Sequence, residues 1–198
     1  GDTLALRAAS RLQAMGYVNV RVLKDGTHGW RAAGYTLFKG VYVPSKTFGE
    51  LVEIQCHTPR ITAKDLNAMI QRGDDIIVLD GRPRSEYAKM TIPGAVCCPN
   101  AELAYRLHRL APETSTTVVV NCAGRTRSII GAQSLINLTT HPRVFALENG
   151  TQGWFLNDFP LELNSDRLYP EVSAADGPLA KVRQKAADLA QAWGVQRI

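Results

Sequence analysis

Two segments of this chain repeat one pattern at a fixed offset, and that repetition limits the folds open to it. Gly26-Thr-His-Gly-Trp30 recurs as Gly150-Thr-Gln-Gly-Trp154, 124 residues later. At that offset residues 1–37 overlay 125–161 without a gap, and Ala8/Ala132, Ser10/Ser134, Val20/Val144, Leu23/Leu147 and Leu37/Leu161 are also identical. A spacing shared over this length marks two copies of one structural unit. Two glycines at fixed offsets before a tryptophan predict a tight turn anchored to a core by the indole. The first copy has only the second half of the unit, whereas residues 58–165 hold a whole one. The expected organisation is therefore a C-terminal half-unit over 1–46, a connector over 47–57, a complete unit over 58–165, and a linker with an amphipathic helix over 166–198. On this reading the chain is a segment of a longer tandem protein. Residues 194–198 resemble 57–61, the lead-in to the complete unit, through Arg197 and Ile198.

Periodicity and breakers give the class of the unit. Residues 5–15 read as a helix ended by Gly16, 18–23 as a strand, and 25–34, with three glycines, as turns. Residues 41–59 carry Pro44, Gly49 and Pro59 and read as irregular. Thr62 is placed to cap a helix running to Arg72, and Asn100 to cap one over 102–110. Ile76–Asp80 is a short β-branched run, as buried parallel strands are, and residues 95–98, residues 116–121 and Val144–Leu147 read as further short strands. Residues 127–138 are helical in character. Strands alternating with helices predict an α/β fold around a parallel sheet with right-handed crossovers. Over 178–193, Leu179, Val182, Ala186, Leu189 and Trp193 fall on one helical face and Lys181, Arg183 and Lys185 on the other. A helix docked on a neighbour is expected there, with a membrane-surface helix as the alternative.

Composition excludes several classes. Hydrophobic residues make up 45% and charged residues 21%, too apolar for a disordered chain. The apolar runs are far shorter than a membrane span, and residues 1–15 are too mixed and charged for a signal peptide. A cytoplasmic, reducing setting is the expectation. Lys and Arg number 23 against 18 Asp and Glu, a net charge of +5. The basic residues are scattered and not interleaved with aromatics, which argues against a nucleic-acid surface. A modest basic field favours small anionic substrates instead. The four cysteines, Cys56, Cys97, Cys98 and Cys122, form no C-x-x-C pair and no zinc pattern.

Cys122 stands apart from the other three. It follows the buried run Thr117-Val-Val-Val-Asn121 and opens Ala123-Gly124-Arg125-Thr126-Arg127-Ser128, which leads into a helix. That places a thiol at the C-terminal end of a parallel strand, where such sheets bind ligands. The N–H groups of the turn, the helix N-terminus and the two arginines all favour a thiolate and form an anion cradle. The glycine and the arginines argue against burial of this thiol. Cys97 and Cys98 read as core residues, Cys56 as a connector residue, and Trp30 and Trp154 as core anchors.

These residues carry a family resemblance. Asp80-Gly-Arg-Pro-Arg-Ser-Glu-Tyr87 is similar to the D-x-R-x-x-x-E-[FY] element of the rhodanese (sulfurtransferase) superfamily, and Ile92-Pro-Gly-Ala95 to its I-P-G-A element. Cys122-Ala-Gly-Arg-Thr-Arg127 resembles its active-site loop, and Gly150-Thr-Gln-Gly-Trp154 its G-G-x-x-x-W element with altered spacing. The resemblance implies a five-stranded parallel sheet flanked by helices, preceded here by the C-terminal half of a second such unit. It implies that the Cys122 thiolate takes the outer sulfur of thiosulfate or a similar donor, and that the resulting persulfide passes its sulfur to a thiol, cyanide or protein acceptor. Ala123, Gly124, Arg125, Thr126 and Arg127 would hold the anion, with Asp80 and Arg82 supporting the loop from below and Glu86 capping or pairing locally. No metal or organic cofactor is implied, and neighbouring rhodanese units are the implied partners, with no nucleic acid and no membrane. Met90-Thr91 stands where the family usually has Gly-His, which removes a histidine from the neighbourhood of the site. In the partial copy Asp2 and Thr3 replace Thr126 and Arg127, as in an inert unit. Two alternatives stay open. One is a non-catalytic tandem binding or regulatory module. The other is a cysteine phosphatase or arsenate reductase, whose loop places five residues between Cys and Arg where this one has four.

Overall fold

The computed structural model describes residues 2–37, 44–173 and 177–195. Arg197 and Ile198, on which the resemblance of the C-terminus rests, lie outside the described residues. The chain divides into two units, Gly1–Val41 and Tyr42–Ile198.

The first unit holds two helices, α1 (Asp2–Ala14) and α2 (Gly26–Ala32). Just beyond α1 the chain turns at Gly16, whose φ is +92°. Two expectations fail here. Residues 18–23 form no strand, and Val18 and Leu23 are exposed. A strand exists only through hydrogen bonds to a neighbour, and the described residues of this unit supply none. Residues 25–34 are not a run of turns. Asp25 and Gly26, each with φ +56°, reverse the chain straight into α2. Trp30 packs on Tyr35 but remains exposed, so it anchors no core.

The second unit begins with α3 (Pro44–Cys56), in the stretch expected to be irregular. The two residues that suggested a break have other roles. Pro44 is the first helical residue, where its missing N–H costs nothing. Gly49 lies so close to the loop ahead of it that an added Cβ would stand 2.8 Å from Thr126 Cγ2. Cys56 is thus the exposed last residue of a helix.

The strands are β1 (Arg60–Ile61), β2 (Ile76–Asp80), β3 (Val96–Cys97), β4 (Thr117–Asn121) and β5 (Val144–Leu147). They form one sheet in the order β1-β5-β4-β2-β3, with every pair parallel. The central strand β4 is buried along its whole length, as the β-branched run predicts. Helices α4 (Ala63–Arg72), α5 (Arg84–Tyr87), α6 (Asn100–Leu110), α7 (Thr126–Leu138) and α8 (Gly150–Phe155) complete the α/β layers. Leu79, Val118 and Val120 point into one core with Leu103, Leu107, Ile129 and Leu135. The alternate residues Val78 and Val119 pack on the other face with Leu66, Tyr87, Leu147 and Trp154. The register sets Asp80 beside both Cys97 and Asn121, so three side chains arrive level at the C-terminal edge of the sheet.

Thr62 caps α4 as expected, its hydroxyl accepting from the Asp65 N–H at 3.1 Å. Asn100 does not cap α6. It is the first helical residue, after Pro99, and its side chain instead donates to the Arg127 carbonyl at 2.8 Å. The last helix, α9 (Gly177–Ala192), docks on α6 and α7. Leu179 is fully buried, and Lys185 Nζ donates to the Thr139 carbonyl at the end of α7. Trp193, beyond the helix, is exposed. No described helix is long and apolar enough to cross a membrane.

The two copies of the glycine–tryptophan motif share one local geometry. Asn149 and Gly150 have φ of +59° and +53°, as Asp25 and Gly26 have +56°. Trp154 Nε1 donates to the Pro160 carbonyl at 2.7 Å and its ring lies 4.9 Å from that of Phe159. Trp30 Nε1 donates to the Thr36 carbonyl at 3.0 Å, with its ring 4.6 Å from that of Tyr35. The bounds of α1 and α7 differ by the same 124 residues.

Candidate active site

Cys122 is the first residue after β4, and the loop of residues 122–125 runs from it into α7. The N-terminus of α8 holds this loop from one side. Thr151 donates to the Cys122 carbonyl through its N–H at 2.8 Å and its hydroxyl at 3.1 Å, and the Gln152 N–H donates to the Ala123 carbonyl at 3.0 Å. Gly150 makes that approach feasible, because any side chain there would strike the Cys122 carbonyl. The carbonyls of Cys122 and Ala123 thus accept from α8, and that of Arg125 accepts from the Ile129 N–H of α7 at 3.2 Å. The loop's N–H groups from Ala123 to Arg125 donate to no backbone carbonyl among the described residues. Together with the N–H groups of the first turn of α7, they are available to an anion. The Cys122 Sγ lies 3.7 Å from Ser128 Oγ, and Ser128 Oγ donates to the Arg125 carbonyl at 2.7 Å.

Cys122 itself is buried, 2% exposed, contrary to the expectation drawn from its polar neighbours. The arginines of a loop can reach outward while the strand end beneath stays packed. A cavity of about 510 Å³ opens beside Ala123, with Arg82, Glu86 and Lys89 among its walls and Met90, Phe155 and Leu161 as its apolar lining.

Beneath the loop lies a buried polar cluster. Asp80 accepts from Arg82 Nε at 2.8 Å and Arg82 Nη2 at 2.7 Å, from the Thr91 hydroxyl at 2.8 Å and from Asn121 Nδ2 at 2.8 Å. Arg82 also donates to the Met90 carbonyl, and Asn121 Nδ2 donates to Thr151 Oγ1 at 3.0 Å. A continuous chain therefore links Asp80 through Asn121 and Thr151 to the Cys122 carbonyl. Thr91, in the place of the family's usual histidine, is a member of this cluster.

The two loop arginines are placed differently from the expected pair of free cations. Arg127 meets Glu86 in a bidentate pair at 2.8 and 2.7 Å. The guanidinium holds the Glu86 carboxyl below its ordinary range. Arg125 is bound by two carboxylates of α3, Glu50 at 2.5 Å and Glu53. Sequence reasoning missed Glu50 and Glu53 because α3 read as irregular. Thr151 was within reach, since it belongs to the repeated motif. Burial raises the Cys97 thiol above its ordinary value and pushes that of Cys98 up to about 12.

Residues 62–157 match the rhodanese-like domain family. Over its full length the chain is 45% identical to the solved thiosulfate sulfurtransferase of Pseudomonas aeruginosa, with a TM-score of 0.76, and spans 37% of that protein. A protein of unknown function from Rhodopseudomonas palustris, described as a possible tyrosine phosphatase, is 20% identical over 64% of this chain and 100% of its own, with a TM-score of 0.51, a likeness of fold alone. No curated protein matches the chain. The parallel sheet, the cysteine loop at its C-terminal edge and the family match agree: residues 62–157 of this chain belong to the rhodanese-like domain family.

Proposed function

We propose that this chain is a sulfurtransferase that carries sulfane sulfur on Cys122. The observation that supports it best is the loop after β4, in which a cysteine is followed by N–H groups that no backbone carbonyl among the described residues uses. The Cys122 thiolate attacks the outer sulfur of a donor such as thiosulfate. A new S–S bond forms, the donor's own S–S bond breaks, and the electron pair leaves with sulfite. The terminal sulfur of the persulfide then carries the negative charge, and the N–H groups of Ala123, Gly124 and Arg125, with those of Thr126 and Arg127, hold it. Attack by a thiol or cyanide on that sulfur returns the Cys122 thiolate. The 45% identity to a thiosulfate sulfurtransferase supports this reaction class. Asp80 and Arg82 act beneath the loop, fixing it through Asn121 and Thr151.

Residues 1–46 are the C-terminal half of a second rhodanese-like unit, a reading supported by the shared geometry of Trp30 and Trp154. Free thiols at Cys56, Cys97, Cys98 and Cys122 suit a reducing compartment such as the cytoplasm. Mass spectrometry after exposure to thiosulfate tests the proposal. The expected result is a gain of one sulfur on the wild type and none on Cys122→Ser. A wild type that gains no sulfur from any sulfane donor overturns it.

A further inference from the structure

The charge around the Cys122 loop is already balanced by the protein itself. Arg127 is paired with Glu86 through both terminal guanidinium nitrogens and both carboxylate oxygens. Arg125 is paired with Glu50 and Glu53, and Glu53 also faces Arg60 at 3.6 Å. Arg82, on the cavity wall, is buried against Asp80. Each cation within or under the loop thus has its carboxylate. Lys89 also lines the cavity but is exposed, where water screens it. The part of the loop left for a ligand is a set of neutral N–H dipoles.

Such a cradle discriminates by charge. N–H dipoles suffice for the single negative charge of a terminal persulfide sulfur. A dianion would bring a second charge into a loop whose own arginines are already paired, with only the solvent-screened Lys89 left on the cavity wall. Glu50 and Glu53 are the adjustable part of this balance. They come from α3, which lies outside the matched domain of residues 62–157, and they reach the loop from 75 and 72 residues away in sequence. Gly49 is the contact that brings α3 close enough, since a Cβ would meet Thr126.

We propose that Glu50 and Glu53 are specificity-determining residues, which neutralise Arg125 and so make the Cys122 site prefer monoanionic sulfane donors over dianionic ones. This rests on the sulfurtransferase reading above. It assigns α3 a part in donor choice that the domain by itself would lack.

Thiosulfate and methanethiosulfonate make a matched pair of probes. Both offer an outer sulfur to Cys122, the first carrying two negative charges and releasing sulfite, the second carrying one and releasing methanesulfinate. The full chain is assayed with each, at low and at high salt, as wild type and as the double variant E50Q/E53Q. The wild type is expected to show the higher kcat/KM with methanethiosulfonate. In the variant the ratio should move towards thiosulfate by about fivefold at low ionic strength, mainly through KM, and by much less at high salt. Thermal melting of the variant separates this from loss of fold, because a partly unfolded loop would slow both donors alike. A wild type that loads Cys122 from both donors but whose ratio the variant leaves unchanged overturns this proposal and leaves the sulfurtransferase reading standing. A wild type that loads Cys122 from neither donor overturns this proposal, and one that no other sulfane donor loads either overturns the sulfurtransferase reading with it.

Discussion

Gly150 and Cys122 meet backbone to backbone: a Cβ on Gly150 would stand 2.2 Å from the Cys122 carbonyl oxygen and 2.7 Å from that of Gly124. The same residue has φ +53°, where a side chain is strained even in open space. Gly150→Ala must therefore push the loop and α8 apart, breaking the bonds from Thr151 and Gln152. The expected cost is about 3 kcal/mol in urea unfolding. Persulfide loading of the folded fraction should fall at least tenfold. A variant as stable and as active as wild type would contradict this packing.

Asp80 is fully buried and accepts from five donors: the Arg82 N–H, Nε and Nη2, the Thr91 hydroxyl and Asn121 Nδ2. Asp80→Ala leaves the Arg82 guanidinium buried without its carboxylate, at a cost of about 4 kcal/mol. Thr151→Val removes only the hydroxyl, which donates to the Cys122 carbonyl and accepts from Asn121, and should cost about 1.5 kcal/mol. Because the Thr151 hydroxyl touches the cysteine's own carbonyl, Thr151→Val should reduce kcat more than its stability loss explains. Parallel melting and single-turnover measurements check the order of these two effects.

How much of this was legible in the sequence depends on how local each cause is. β2 and β4 announce themselves through short β-branched runs, and Thr62 through its capping position, because those signals act within a few residues. Residues 18–23 carry the same kind of run and form no strand, since pairing depends on a neighbour that the run cannot specify. The helix α3 was hidden because Pro44 and Gly49 read as breakers. Their actual roles, a helix start and a contact with Thr126, are set by position in three dimensions. At the site, the position of Cys122 just after a buried run was enough to expect a thiol in the loop at the C-terminal edge of the sheet, where the structure has it. The neutralisation of Arg125 and Arg127 was not visible, because their carboxylates lie 75 and 41 residues away.

The Arg127–Glu86 pair gives the acid limb of stability a defined sign. The guanidinium lowers the Glu86 pKa in the folded chain, so folding favours the charged carboxylate. Its contribution is present above the ordinary carboxylate pKa and is lost as pH falls through the lowered folded value. Both side chains are more than a third exposed, so screening leaves only about 0.5 kcal/mol. Glu86→Gln should thus differ from wild type by about that much near neutrality, and the two denaturation curves should merge in strong acid. A difference that persists unchanged into strong acid would show that the pair acts by packing alone.

Cys98 governs the opposite end of the pH range. It is fully buried between β3 and α6, and removal from water, with the nearby Glu102 carboxylate adding to it, raises its thiol to about 12. In the unfolded chain a cysteine ionises near 8.5. Between those values the unfolded state releases a proton that the folded state keeps, so the unfolded state is favoured as pH rises. The sign is therefore a loss of stability above about pH 9, with a slope approaching roughly 1 kcal/mol per pH unit from this one group. Cys98→Ala removes the titration at the expense of a small cavity, about 1 kcal/mol at neutral pH. The wild type should consequently lose its advantage as pH rises from 8, the two curves crossing at about pH 9 and the variant being the more stable at pH 10.5. Lysines and tyrosines titrate in both chains alike, so the difference between the two curves isolates Cys98. A difference that stays constant across that range would show that the Cys98 thiol ionises as easily in the fold as in water.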